Sequence, residues 1–276
     1  VSRESLEILE QSLQLPSNLK FCDLEIPKNF PEVHPESTFP SISYSRLLIP
    51  SVFANYETVL YLDADTWILQ DLSPLLINHL PDGHTIGAAL DPSVASHVEQ
   101  RASVPPQTEM RTAHEYLREK LGIESVDDYF NSGVLVFHPN QMNPASFDEF
   151  WMHRVKTYAY WFADQCVLNA YARGQFARLD GSWNHMSQSN WPKSPAKHDI
   201  NISHVNGRAR PWKIHMGKFY KPYHQLVISS ATRHGLRDLY TENPMRMAIR
   251  TISLFGFRSM PVSLRRLVRW AARRTK

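Results

Sequence analysis

Glycine is scarce, with 10 in 276 residues, and neither Gly-x-Gly-x-x-Gly nor Gly-x-x-x-x-Gly-Lys-[Ser/Thr] occurs. The glycine-rich phosphate cradles of dinucleotide-binding and P-loop proteins are therefore missing. Cysteine is rarer still. Cys22 and Cys166 lie far apart with no metal-ligand spacing. They read as buried, reduced thiols of a cytosolic protein, with a single disulfide as the alternative. No apolar run approaches the roughly 20 residues of a membrane span, and no secretory signal is visible at the first residues. Internal repeats and low-complexity tracts are absent as well. What is present is ordinary for a globular protein: 42% hydrophobic and 21% charged residues. The length suits one large α/β domain or two small ones.

Acidic residues also run out at one end. From Arg246 to Lys276 there are nine Lys or Arg and no Asp or Glu. The whole chain carries +3, but without those nine it holds 21 basic against 27 acidic residues. The body is negative and the tail strongly positive, which speaks of partners more than the net charge does. In the tail Leu264, Leu267, Val268 and Ala271 form an apolar stripe flanked by Arg265, Arg266, Arg269, Arg273 and Arg274, with Trp270 at the boundary. That pattern is an interfacial amphipathic helix suited to an anionic membrane surface; a basic terminal helix packed on the body is the alternative. An acidic body without a recognisable nucleic-acid fold argues against nucleic acid as a partner.

Along the chain, residues 1–15 read as a helix ended by Pro16, and residues 21–26 as a strand. A proline-rich loop leads to a helix over residues 42–53, with Tyr44, Leu47, Leu48 and Val52 on its apolar face and Arg46 among them. The run Thr58-Val59-Leu60-Tyr61-Leu62 reads as a buried strand, followed by a second apolar stretch over 66–69 and a short helix with Pro74 near its start. Residues 86–91 read as a strand ending on Asp91, residues 109–121 as a charged helix stopped by Gly122, and residues 129–137 as a strand. Helices are expected over 144–158 and 163–172, short extended segments over 176–179 and 182–186, a polar loop over 193–210, and a strand over 212–215.

The strand at 58–62 runs into Asp63-Ala64-Asp65. In an extended chain alternate side chains share a face, so the two carboxylates are expected side by side at the carboxyl end of a parallel strand. Like charges that close raise each other's pKa, and a hard divalent cation with a phosphate would relieve them. A bare Asp-x-Asp is equally a strand entering an acidic turn, so the pair needs company.

Five segments supply it in order: Tyr44-Ser45-Arg46-Leu47; Leu60-Tyr61-Leu62-Asp63-Ala64-Asp65; Tyr129-Phe130-Asn131-Ser132-Gly133-Val134-Leu135; Ala163-Asp164-Gln165-Cys166-Val167-Leu168-Asn169; and Ile214-His215 with Lys221-Pro222. Over about residues 40–225 this set resembles glycosyltransferase family 8, most closely its bacterial lipopolysaccharide galactosyl- and glucosyltransferases and more distantly glycogenin. The resemblance implies a nucleotide-diphospho-sugar transferase (GT-A, Rossmann-like) α/β fold with a mixed sheet. The catalytic domain would span 1–240 and the basic helical tail 241–276.

The resemblance also assigns roles. Asp63, Asp65 and His215 match the metal ligands, and Lys221 the diphosphate contact. Arg46 matches an Arg near the nucleotide-sugar, and Asp91 a sugar contact. Asn131, Ser132 and Gly133 match the turn lining the sugar pocket, and Asp164 and Gln165 the pair at the reacting carbon. The implied cofactor is Mn²⁺, with Mg²⁺ as the alternative. The implied partners are a UDP-sugar donor and a saccharide or lipopolysaccharide-type acceptor, at the inner face of the cytoplasmic membrane. Two departures stand out. The family's Gly lies three residues after its metal His, whereas Gly217 lies two after His215, and the Lys-Pro-Trp ending reads Lys221-Pro222-Tyr223. The family's N-terminal strand and uridine-binding Asp residues have no counterpart, so the chain reads as N-terminally truncated.

The chemistry expected is retaining transfer of galactose or glucose. Gln165 would steady the positive anomeric centre during same-face attack, and the competing covalent route would use Asp164 as nucleophile. Two other functions remain open: a catalytically impaired sugar- or membrane-binding remnant, and a metal-dependent phosphohydrolase.

Overall fold

The structure is a computed structural model and describes residues 30–37, 39–77, 80–81, 83–94, 112–186 and 199–204. All fall within one compact unit, Leu24–Asn206. The helix expected over 1–15, the strands over 21–26 and 212–215, His215, Lys221 and the basic tail lie outside the described residues.

Two mixed sheets form the frame. The larger has four strands in the order β1 (Val59–Leu62), β4 (Phe130–Phe137), β3 (Ile86–Leu90), β5 (Ala177–Arg178). β4 pairs antiparallel with both β1 and β3, and β3 pairs parallel with β5. The smaller runs β2 (Thr66–Ile68), β7 (Ile202–His204), β6 (His185–Met186), with β2 antiparallel and β6 parallel to β7. Strand β1 was expected to be parallel. Among the described residues its ladder partner is β4, and that pairing is antiparallel. Strand β7 lies inside a stretch read as a polar loop, because Ile202-Ser203-His204 is too short to show alternation and gains its partners only from β2 and β6.

β4 is buried along its whole length. Its alternate residues feed two cores. Leu135 and Phe137 join the large cluster with Tyr44, Leu47, Phe147 and Trp151, while Val134 and Val136 join a smaller one with Leu75 and Ile202. A continuous apolar run with few polar interruptions is what two-sided burial requires.

The helices follow the sequence closely. Residues Ser41–Leu48 form a 3-10 helix that continues as α1 (Ile49–Val52); Tyr44, Leu47 and Leu48 are buried, whereas Val52 faces solvent. α2 (Ser73–Ile77) and α3 (Ala113–Tyr116) are short. α3 runs on through a π-turn over Leu117–Leu121 to Gly122, whose φ of 70° explains a glycine stop. α4 (Pro144–Thr157) starts under the Asn143 cap and buries Phe147, Trp151 and Val155, spaced four apart on one face.

α5 (Ala163–Ala172) is buried almost all round, which is why its sequence is apolar or small outside three polar residues. One of these, Asn169, treats β4 as a neighbouring strand would. Its Oδ1 accepts from Phe130 N at 2.9 Å and its Nδ2 donates to Phe130 O at 2.8 Å. The other two, Asp164 and Gln165, sit one turn earlier, and the Asn169 clamp sets them beside Asn131 and Ser132. Ala163 enters this helix at φ 41°, a left-handed value uncommon for alanine. Backbone strain of this kind tends to gather at functional sites.

Candidate active site

The Asp63–Asp65 segment is a turn rather than an extended chain. It carries the backbone from β1 in one sheet to β2 in the other. Thr66 closes it by donating to Asp63 O from both its amide (3.1 Å) and its hydroxyl (2.7 Å). Asp63 N donates to Gly133 O at 2.8 Å, fixing the turn to β4. The two carboxylates do meet, but through this turn, and a third group closes the cluster. β7 pairs with β2 in the register Thr66↔His204, so its last residue reaches across to the turn. His204 Nε2 lies 3.4 Å from Asp65 Oδ1 and 3.7 Å from Asp63 Oδ2.

Asp63, Asp65 and His204 could hold a metal ion, with one ligand atom from each within 4.8 Å of the others. The fit is physical. Adjacent ligands in an octahedral shell at ~2.1 Å from the metal are roughly 3 Å apart, close to the spacings found. The imidazole is ready as a neutral ligand, since burial pushes the His204 pKa down against the pull of Asp63 and Asp91. Two carboxylates and an imidazole suit a divalent cation better than a soft, thiolate-preferring metal.

Gly133 makes room for this histidine. A Cβ there would lie 2.2 Å from His204 Cε1 and 2.5 Å from Nδ1. Among the described residues, the group that closes on this bare backbone is the imidazole.

Arg46 binds the cluster to α5. Its Nη2 lies 3.0 Å from Asp63 Oδ1 and its Nε 2.8 Å from Asp164 Oδ2, the latter an ionic contact without hydrogen-bond alignment. Its Nη1 donates to Ser132 O at 2.7 Å and to Ser132 Oγ at 3.1 Å, and the guanidinium lies over the Tyr61 ring. Tyr61 donates its hydroxyl to Asp63 Oδ1 at 2.7 Å. With Oδ1 taken by Arg46 and Tyr61, Asp63 presents Oδ2 to His204 and the metal position. Burial pushes the Asp164 carboxyl up to about 6, opposed by Arg46 and reinforced by Asp63. At neutral pH Asp164 is the anionic partner of Arg46.

The remaining residues form one hydrogen-bonded floor. Gln165 Oε1 accepts from Ser132 N (3.1 Å) and Asn131 Nδ2 (3.0 Å), and its Nε2 donates to Asp91 Oδ2 (2.9 Å) and the Tyr129 hydroxyl (3.1 Å). Asp91 Oδ2 also accepts from Asn131 Nδ2 at 3.1 Å, and its Oδ1 from Ser93 N at 2.8 Å. Asp63, Asp65, Arg46, Asp91, Asn131, Ser132, Gly133, Asp164 and Gln165 are thus all brought to one place. His204 and Tyr61 are members the sequence reading did not assign, and Asn184 joins them between Asn131 and His204. For His204 a signal was present: Gly207 lies three residues on, and Arg210-Pro211-Trp212 follows. That is the spacing expected after the metal histidine, with Arg in place of Lys, and it fits better than the spacing after His215.

A mixed α/β sheet with an Asp-x-Asp turn and a histidine at its edge is the frame of the GT-A glycosyltransferases, and known structures agree. The bifunctional glycosyltransferase WbbM in its apo form is 24% identical with a TM-score of 0.62, covering 72% of this chain and 38% of its own. An active-site mutant of LgtC is 21% identical with a TM-score of 0.61, covering 83% of this chain and 82% of its own. This chain therefore spans well under half of the WbbM chain. No curated protein sequence matches significantly. The model of glycosyl transferase family 8 matches residues 6–215. The chain belongs to glycosyl transferase family 8.

Proposed function

We propose that this protein transfers galactose or glucose from a UDP-sugar to a saccharide acceptor of the lipopolysaccharide-core type, with retention at the anomeric carbon. The observation that carries this reading is the single connected cluster joining Asp63, Asp65 and His204, through Arg46 and Ser132, to Asp164 and Gln165. Asp63, Asp65 and His204 would hold a divalent metal, Mn²⁺ by preference, which would supply Lewis-acid stabilisation of the leaving diphosphate.

The chain's own residues do the rest. Asp91 and Asn131 hold the Gln165 amide and are the candidates for contacts to sugar hydroxyls. Gln165 is uncharged and fixed by four partners, which suits it to steady a positive centre without attacking it. Asp164 Oδ2 takes both the Arg46 and the Ser132 contact. The uncharged Gln165 favours the same-face route. Lys221 and Arg210 are the candidates for the diphosphate contact, and the basic tail for docking on an anionic membrane at the cytoplasmic face. Among the described residues no helix is long and apolar enough to cross a membrane.

The test is Mn²⁺-dependent turnover of radiolabelled UDP-Gal and UDP-Glc, with saccharide acceptors, by wild type, H204A and H215A. The expected result is acceptor-dependent transfer lost in H204A and retained in H215A. Release of sugar or phosphate at full rate without any acceptor would favour a hydrolase instead.

A further inference from the structure

We infer that Asn184 is a positioning residue for the metal site, because it fixes the imidazole tautomer of His204 by a logic that starts from a backbone amide. This rests on reading His204 as a metal ligand. Asn184 sits at the end of the 3-10 helix Gly181–Asn184 and is buried, 1% exposed. Nothing in the chemistry above uses it.

Amide oxygens and nitrogens are told apart by their fixed neighbours. Gly133 N can only donate, and it lies 2.8 Å from one end of the Asn131 amide. That end is therefore Oδ1. Asn184 places its own amide 2.9 Å from the same Oδ1. An oxygen would meet an oxygen there, so this end of Asn184 is Nδ2, donating. The other end of Asn184 is then Oδ1, an acceptor only, and it lies 2.9 Å from His204 Nδ1. Nδ1 must carry the hydrogen. In the neutral ring Nε2 is left with its lone pair, and Nε2 is the atom facing Asp65 and Asp63. One backbone N–H thus sets, through two buried side-chain amides, which nitrogen of His204 is free to ligate. A ligating histidine commonly gives its other N–H to an oxygen that holds its ring and tautomer, and loss of such a partner costs about 10–100-fold in metal affinity.

The chain of bonds also runs the other way. Asn131 Nδ2, the end opposite Asn184, donates to Gln165 Oε1 and Asp91 Oδ2. Asn184 therefore stands between the metal ligand and the floor of the sugar site, and a change in the His204 ring reaches Gln165 through two shared amides.

Two measurements on the full chain test this. Long-range ¹⁵N–¹H NMR of the metal-free protein, with His204 assigned from H204A, should show the Nδ1–H tautomer in wild type and a shift toward the ordinary Nε2–H form in N184A. Mn²⁺ alone, titrated without nucleotide and followed by the EPR signal of the free ion, should bind N184A about 10–100-fold more weakly. His204 found as Nε2–H in wild type would overturn the inference. So would N184A binding Mn²⁺ within twofold of wild type while H204A has lost it. H204A binding Mn²⁺ like wild type would instead remove the metal reading of His204, and the tautomer would still judge Asn184 by itself. The tautomer needs only the wild-type chain, so the inference remains open to refutation even if N184A does not fold.

Discussion

Adding one methyl group at Gly133 should disable the metal site from the far side of the histidine. In G133A the new Cβ would lie 2.2 Å from His204 Cε1. Relief to an ordinary contact of ~3.5 Å needs about 1.3 Å of movement. The strand cannot supply it easily. Gly133 O holds Asp63 N, Gly133 N holds Asn131 Oδ1, and β4 is buried on both faces. The ring must therefore move, and the Asn184 bond at 2.9 Å and the Asp65 contact at 3.4 Å move with it. Overpacking of this kind costs ~1–3 kcal/mol. Productive metal geometry tolerates roughly 0.5 Å, less than the shift required. G133A should thus lose Mn²⁺ affinity by at least tenfold and show a lowered Tm, measured by calorimetric titration and thermal melting. Wild-type affinity together with wild-type Tm would refute the placement of His204 against this strand.

Other outcomes follow from the same contacts. R46A removes the cation shared by Asp63 and Asp164 and leaves a buried carboxylate unpaired, so unfolding free energy should fall by about 3–5 kcal/mol in urea titration. R46K should recover only part of that, because a lysine is a point charge and the guanidinium reaches three partners at once. Q165E puts a second carboxylate where Gln165 Nε2 now donates to Asp91 Oδ2 at 2.9 Å. One of the two should then hold a proton near neutral pH, and transfer should fall far more than in the isosteric D91N/Q165E pair if repulsion is the cause. With the Asp164 carboxyl at about 6, kcat/KM should decline as pH falls through that value, since protonation releases Arg46. The stability effect has the opposite sense. The folded pKa lies above the unfolded value of 3.8, so the folded state holds the proton more tightly. This group's contribution is greatest below about pH 4 and is lost as pH rises through about 6, which denaturation at a series of pH values would show against D164N.

Much of the frame was legible because it is local. The strand over 129–137, the helix over 144–158 and the Gly122 stop each follow from a few neighbouring residues. The candidate positions carried by contiguous motifs, from Arg46 to Gln165, were likewise marked by chain order.

What sequence alone could not decide is which partners distant residues take. Ile202–His204 looks like loop until β2 and β6 flank it, and only the register Thr66↔His204 makes that histidine the third member of the Asp63–Asp65 cluster. Asn169 reads as a polar interruption in a helix, yet it clamps the start of β4. The sequence by itself determined which residue types were available, the Asp-x-Asp pair and the helix that carries Asp-Gln. Only the tertiary structure brought His204 within 3.4 Å of Asp65 and set Asn184 against its ring. Backbone pairing between β2 and β7, and the space left by a missing side chain at Gly133, are properties of segments more than sixty residues apart.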